Sequence, residues 1–192
     1  MHSISIMAAA SLFWGPPPVL PAEQQYSFVA EAPAPQRIAF AQGDPRWGSL
    51  RYSGERSLDE AGCLIFALLM IAREEGFDYE PLDFVRQLQR FGSFDARGNL
   101  YWATLREATS LDAERLFTRG EAAFSEARQL LEGGTRVALQ VRTPRGTRHW
   151  VAGIELEDDD IVILDPGNGR ETTLQRSYGA RALLGLAAVR PA

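Results

Sequence analysis

Residues 62–76 read GCLIFALLMIAREEG and form the most strongly patterned stretch of the chain. Between Gly62 and Gly76 there is no proline or glycine, and most of the residues are strong helix formers. The side chains are apolar on every side of the predicted helix until Arg73, a pattern typical of a helix buried in a core. We therefore expect a central helix over residues 63–75 that ends at Gly76.

Three further helices are predicted after this one. Pro81 is suited to the first turn of a helix, and the amphipathic pattern that follows it ends near Gly92. Residues 101–108 and 121–131 show similar patterns, and a pair of glycines closes the second of them. The first two thirds of the globular sequence are therefore predicted to be mainly helical.

After Gly134 the pattern changes from helical to alternating and β-rich. Segments rich in β-branched residues are separated by short turn sequences containing proline, glycine or consecutive acids. Four strands are predicted, over residues 136–141, 149–155, 160–164 and 182–189. Helices followed by antiparallel strands give an α+β domain, with N-terminal helices packed on a C-terminal antiparallel sheet.

Composition narrows the classes of function. A length of 192 residues suits one domain plus an appendage. Apolar residues make up 45% of the chain and charged residues 23%, a composition that is ordinary for a globular protein. All 20 basic residues are arginine, against 25 acidic residues, and the formal net charge of −5 does not indicate a nucleic-acid binder. The absence of lysine excludes mechanisms that need a Schiff-base lysine or a P-loop lysine.

The scarce residues exclude further classes. The chain has one cysteine, Cys63, and two histidines, His2 and His149, so it can form neither an internal disulfide nor a Cys/His zinc site. We expect no metal and no cofactor. The longest apolar run, residues 63–72, is about half of the roughly 20 residues that a membrane-spanning helix requires, so no transmembrane segment is expected.

The first 36 residues differ from the rest of the chain. They contain six prolines and no arginine, and we expect an extended arm that precedes a globular domain over residues 37–192. The apolar stretch 4–14 is similar to the core of a secretory signal, but it lacks a preceding basic segment and a clear cleavage site. The alternatives are an arm that docks on a partner protein and a tail folded back on its own domain.

Cys63 is the first candidate for chemistry. It lies at the predicted N-terminus of the central helix, directly after Gly62. The N–H groups at a helix N-terminus stabilise an anion, so a thiolate is favoured there and can act as a nucleophile. The alternative is an inert cysteine that serves as a small core residue.

His149 and Asp165 are the candidate partners of Cys63. A thiol nucleophile needs a general base, and His149 is the one histidine in the globular part of the sequence. Asp165 ends the next predicted strand, and in an antiparallel hairpin the start of one strand lies beside the end of the next. His149 and Asp165 are therefore predicted neighbours, although a structural histidine and a turn-initiating Asp-Pro pair are the simpler alternatives.

Acyl transfer also needs donors for the developing oxyanion. The backbone N–H of Cys63 is one candidate, and the side-chain amide of Gln42 is a second. Taken alone, a glutamine in a turn is usually only solvated.

In order along the chain, these features resemble the C39-like, papain-fold cysteine peptidases. Four short motifs carry the resemblance: QGDPRW at residues 42–47, Gly62-Cys63, His149-Trp150-Val151 and Asp165-Pro166. The resemblance extends from about residue 37 to the C-terminus. In that family the glutamine completes the oxyanion hole, the cysteine is the nucleophile, the histidine is the base and the aspartate orients it. The resemblance assigns these roles to Gln42, Cys63, His149 and Asp165.

One departure from the family pattern lies directly after the nucleophile. Family members often carry small residues and a threonine-containing pair there, whereas this chain has Leu64, Ile65 and the bulkier Phe66. Altered packing behind Cys63 would favour the alternative function, a catalytically retired domain that acts as a structural adaptor in a larger assembly.

The resemblance implies a thiol peptidase that cleaves a peptide or amide bond. We expect a stand-alone peptidase domain, since no ATP-binding cassette sequence is present. Similar domains in cell-wall and phage proteins suggest peptidoglycan peptides as the substrate and a phage tail tip as the location, with a secreted or periplasmic protein as the alternative. Residues 1–36 would then contact a protein partner, and no nucleic-acid partner is expected.

Overall fold

The computed structural model describes residues 37–54 and 56–192. The predicted N-terminal arm, residues 1–36, lies outside the described residues, and so does Glu55. Within the described ranges, no helix combines the length and the apolar character needed to cross a bilayer.

Short helices and strands precede and surround the main sheet. In chain order the elements are β1 (Arg51–Ser53), β2 (Arg56–Ser57), α1 (Leu58–Ala61), α2 (Cys63–Glu74), α3 (Pro81–Arg90), a 3-10 turn (Trp102–Thr104), α4 (Leu105–Thr109), β3 (Leu111–Leu116), α5 (Gly120–Glu132), β4 (Arg136–Arg142), β5 (Arg148–Glu157), β6 (Asp160–Asp165), β7 (Arg170–Thr173), α6 (Leu174–Ser177), a second 3-10 turn (Ala180–Ala182) and β8 (Leu183–Pro191).

Six of the strands form one antiparallel sheet in the order β3-β8-β4-β5-β6-β7. The helix α2 packs on one face of this sheet and α5 packs on the other. The predicted α+β class, with helices against a C-terminal antiparallel sheet, is confirmed.

Small side chains let α2 approach the sheet closely. Ala138 of β4 is in register with Ala152 of β5 and with Ala187 of β8, and all three are fully buried against the α2 side. The opposite face carries larger residues in register, among them Leu139 and Val151, which pack in the same cluster as α5. The sheet therefore offers a flat surface to the buried helix.

The helix α2 is held by apolar packing along its whole length. Residues 65–72 are all buried, as the sequence pattern predicts, and the helix ends just before Gly76, which has φ of +87°. Phe66 packs against Trp47, with ring centroids 6.0 Å apart. Its bulk is therefore accommodated within the core.

The sequence patterns located the main helices and four of the strands, but missed the edges of the sheet. The strands β3 and β7 were not predicted, and neither were the short elements β1, β2, α1 and α6. The predicted helix over residues 101–108 is a 3-10 turn followed by α4. Edge strands are half-exposed and carry charged residues, so β3 and β7 lack the alternation of apolar and polar residues that marks a half-buried strand.

Candidate active site

Cys63 occupies the first position of α2, directly after a sharp junction with α1. Gly62 is the C-cap residue of α1 and also the N-cap residue of α2. A Cβ at this position would collide with the carbonyl oxygen of Leu58. Only glycine fits this junction without a shift of the backbone. Cys63 is partly exposed, so its thiol is accessible at the N-terminus of a long buried helix.

His149 and Asp165 are brought together by the hairpin of β5 and β6. The register pairs Ala152 with Leu164 and Gly153 with Ile163, and continuing it places His149 diagonally across from Asp165. The Nε2 atom of His149 lies 2.7 Å from Oδ1 of Asp165. The predicted proximity of these two residues is therefore what the structure shows.

Asp165 is buried, and both oxygens of its carboxylate accept hydrogen bonds. It is 4% exposed, and its carboxylate accepts hydrogen bonds from His149, from the backbone N–H of Gly167 at 2.8 Å and from the hydroxyl of Tyr178 at 2.6 Å. Burial raises the pKa of Asp165, but the hydrogen bonds from His149, Tyr178 and Gly167 outweigh burial and lower the pKa below its usual value. The carboxylate therefore stays charged beside the imidazole.

His149 also interacts with Cys63. Burial lowers the pKa of His149, but its hydrogen bond to Asp165 and its electrostatic interactions with Cys63 and Asp165 outweigh burial and raise the pKa to about 9. Because Nε2 is bound to Asp165, Nδ1 is the ring nitrogen that remains for another partner. Cys63, His149 and Asp165 thus form a row of thiol, imidazole and carboxylate, an arrangement that can move a proton from sulfur to imidazole.

Gln42 forms hydrogen bonds to two segments of the site, the turn after Asp165 and the helix that precedes Cys63. Its backbone N–H donates to the carbonyl oxygen of Pro166 at 2.8 Å, and its side-chain Nε2 donates to the carbonyl oxygen of Asp59 in α1 at 2.7 Å. One hydrogen of Nε2 remains for another acceptor. The Oε1 atom is buried and has no hydrogen-bond partner within the described residues.

The turn after Asp165 packs tightly against this site. A Cβ at Gly167 would lie 3.1 Å from Oδ1 of Asp165 and 3.4 Å from Nε2 of His149. Gly169, with φ of +65°, approaches the backbone N of Ala41 so closely that a Cβ would lie 2.9 Å from it. These glycines let one turn contact both the His149–Asp165 pair and the segment that carries Gln42.

A cleft of about 620 Å³ opens beside Cys63. Trp102 and Trp150 form part of its wall, with ring centroids 5.9 Å apart. Among residues 37–54 and 56–192, no group of three His, Cys, Asp or Glu side chains is placed to hold a metal ion.

The sequence patterns missed Tyr178 and Gly167, both of which bind Asp165. Tyr178 caps α6, a four-residue helix with no periodic signal of its own. The Pro-Gly pair after Asp165 predicted a turn, but not that the N–H of Gly167 would bind the carboxylate.

No protein-family model and no curated protein matches the sequence of this chain. Among solved structures, it matches the peptidase domain of Streptococcus ComA, described as a bifunctional ABC transporter involved in quorum sensing. That match has 12% sequence identity and a TM-score of 0.48, and it covers 82% of this chain and 100% of that one.

A second match is a structure from Bacillus anthracis described as a C39-like peptidase, with 13% identity, a TM-score of 0.45 and the same coverage of both chains. The description of this second structure names the family that the sequence motifs resemble.

Proposed function

We propose that residues 37–192 form a cysteine peptidase domain that hydrolyses a peptide bond. The observation that supports this most strongly is the position of His149, which hydrogen-bonds to Asp165 at 2.7 Å and interacts electrostatically with Cys63. A histidine that served only the core would not need to join a partly exposed thiol to a buried carboxylate.

In the proposed first step, the thiol of Cys63 has passed its proton to the imidazole of His149, and the Sγ atom attacks the carbonyl carbon of the scissile amide. The tetrahedral intermediate collapses when His149 returns that proton to the leaving amine, which leaves a thioester on Cys63. In the second step, His149 takes a proton from water and the resulting hydroxide attacks the thioester. The C–S bond then breaks as His149 returns the proton to sulfur, which releases the acid product and regenerates Cys63.

The remaining residues have supporting roles in this proposal. Asp165 keeps the imidazole in one orientation and stabilises its protonated form. The free hydrogen of the Gln42 amide and the backbone N–H of Cys63 bind the oxyanion of the tetrahedral intermediate. Gln42 suits this role because its amide is fixed to Asp59, one turn before Cys63.

We propose further that the substrate is the peptide part of bacterial cell wall and that the protein acts on a phage tail tip, where residues 1–36 bind a protein partner. What supports these assignments is the resemblance of the motif set to family members in phage and cell-wall proteins.

The test is hydrolysis of a peptide panel and of purified peptidoglycan by the wild-type chain, with Cys63→Ala and Cys63→Ser as matched variants. We expect both variants to lose hydrolysis while keeping the wild-type circular dichroism spectrum. A folded wild-type chain that cleaves nothing, or a Cys63→Ala variant that cleaves as fast as wild type, would favour the structural adaptor instead.

A further inference from the structure

The cleft beside Cys63 is strongly basic, although the chain as a whole carries a formal net charge of −5. A second cavity of about 270 Å³ shares Arg115, Gln140 and Arg148 with it. Among the lining residues that belong to 37–54 and 56–192, Glu60 is the one acidic residue. We use the term arginine band for the six arginines that line them: Arg56, Arg97, Arg115, Arg119, Arg142 and Arg148.

None of the six forms an ion pair with a carboxylate of residues 37–54 or 56–192. Elsewhere on the surface some exposed arginines have such partners, as Arg86 has Asp83 and Arg181 has Glu121, whereas others, such as Arg145 and Arg176, form no ion pair with a described carboxylate.

Two members of the band face each other directly. Arg142 of β4 and Arg148 of β5 are paired in the strand register, so their side chains lie on the same face of the sheet. Like charges in this position repel and destabilise the sheet. A bound anion between the two strands would remove that repulsion.

Arg115 lies beside two aromatic rings. Its guanidinium carbon lies 5.6 Å from the ring centre of Trp102 and 5.3 Å from that of Phe117. A guanidinium next to aromatic rings keeps N–H groups with which to bind a carboxylate.

From this arrangement we propose that the arginine band binds an acidic segment of the peptide substrate, with carboxylates on Arg115 and Arg148. The proposal rests on the proposed peptidase function, because the cleft leads to Cys63 and its acyl chemistry acts on a peptide chain. The guanidinium group matches the planar carboxylate with two parallel hydrogen bonds. The aromatic wall of Trp102 and Trp150 suits apolar side chains between the acidic ones.

The experiment measures binding separately from turnover, by calorimetry with the Cys63→Ala chain. The ligands are a short end-blocked peptide rich in glutamate and the same peptide with glutamine at those positions. We expect the glutamate peptide to bind at least about tenfold more tightly, and its affinity to fall as salt is raised. Replacing both Arg115 and Arg148 by glutamine should remove that preference, whereas the charge-matched control, Arg86→Gln with Arg181→Gln, should keep it.

Equal affinity for the two peptides, or a preference that survives in the Arg115 and Arg148 variant, would overturn the proposal. Tighter binding of a single-stranded oligonucleotide than of the glutamate peptide would also overturn it. The two proposals can fail separately. A wild-type chain that cleaves nothing would overturn the peptidase proposal but would leave the binding preference of the Cys63→Ala chain to be measured. Equal binding of the two peptides would overturn the arginine-band proposal but not the hydrolysis measured with the wild-type chain.

Discussion

The backbone N–H of Gln42 donates a hydrogen bond to the carbonyl oxygen of Pro166, and the two atoms are 2.8 Å apart. Pro166 directly follows Asp165, the residue that binds His149. The segment that carries the Gln42 amide is therefore fixed to the turn that positions the histidine. A second hydrogen bond, from the Gln42 side chain to Asp59, fixes the same segment to the helix before Cys63.

Replacing Gln42 by alanine removes an amide that we assign to the oxyanion. We expect peptide hydrolysis to fall by about a hundredfold or more, with little change in the rate at which a simple alkylating agent modifies Cys63. Steady-state kinetics beside intact-mass alkylation measures both quantities. Gln129→Ala, on the exposed face of α5, is the matched control, and equal loss of hydrolysis in the two variants would contradict the assignment.

Replacing Asp165 by asparagine keeps the size of the side chain but removes the charge that stabilises the protonated imidazole. We expect hydrolysis to fall by about 10²- to 10⁴-fold. Asp158→Asn is the control, because Asp158 lies on an exposed turn with φ of +52°, which asparagine also accepts. Wild-type kinetics in Asp165→Asn would show that the His149–Asp165 pair has no part in the reaction.

Replacing Tyr178 by phenylalanine removes one of the three hydrogen-bond donors to Asp165. We expect the pKa of Asp165 to rise, so the acid limb of the pH–rate profile moves to higher pH, and we expect unfolding free energy to fall by about 1 kcal/mol. The exposed Tyr101→Phe is the control. An unchanged acid limb with the same loss of stability would mean that Tyr178 has only a structural role.

The titration of His149 reports its interactions with Asp165 and Cys63. In the wild-type chain we expect an imidazole pKa of about 9, and a lower value in Cys63→Ala, because Cys63 is one of the groups that raise it. Since His2 is the only other histidine, a His2→Ala chain gives a single imidazole signal for nuclear magnetic resonance. An identical pKa with and without Cys63 would show that the thiol and the imidazole do not interact.

The raised pKa of His149 also makes the stability of the folded state depend on pH. Because folding raises the pKa of His149 from 6.5 to about 9, the charged imidazole stabilises the folded state below about pH 6.5, and this contribution is lost as pH rises through about 9. Denaturant unfolding across this range should therefore show a steeper loss of stability for the wild-type chain than for His149→Gln.

The sequence predicts the centre of the site because local patterns determine it. The apolar run after Gly62 requires a buried helix, which places Cys63 at its start, and the hairpin after His149 requires Asp165 to return beside it. These relationships depend on short segments and on strong periodicity. They hold whatever the rest of the chain does.

The surroundings of the site depend on tertiary contacts that no local pattern records. Tyr178 reaches Asp165 from a four-residue helix, and Arg115 reaches the cleft from β3, an edge strand without a clear alternation of apolar and polar residues. The arginine band draws its members from separate strands and loops, so it becomes visible only after the strand order is known.

The most direct test of the central claim, that Cys63 is a thiol activated by His149, is the rate at which a peptide-based electrophile modifies Cys63 near neutral pH. Because Cys63 is the only cysteine, each added mass in the intact protein identifies it. We predict that the wild-type chain and His2→Ala react at the same rate, and that His149→Ala reacts at least about a hundredfold more slowly. Equal rates in wild type and His149→Ala would contradict the account.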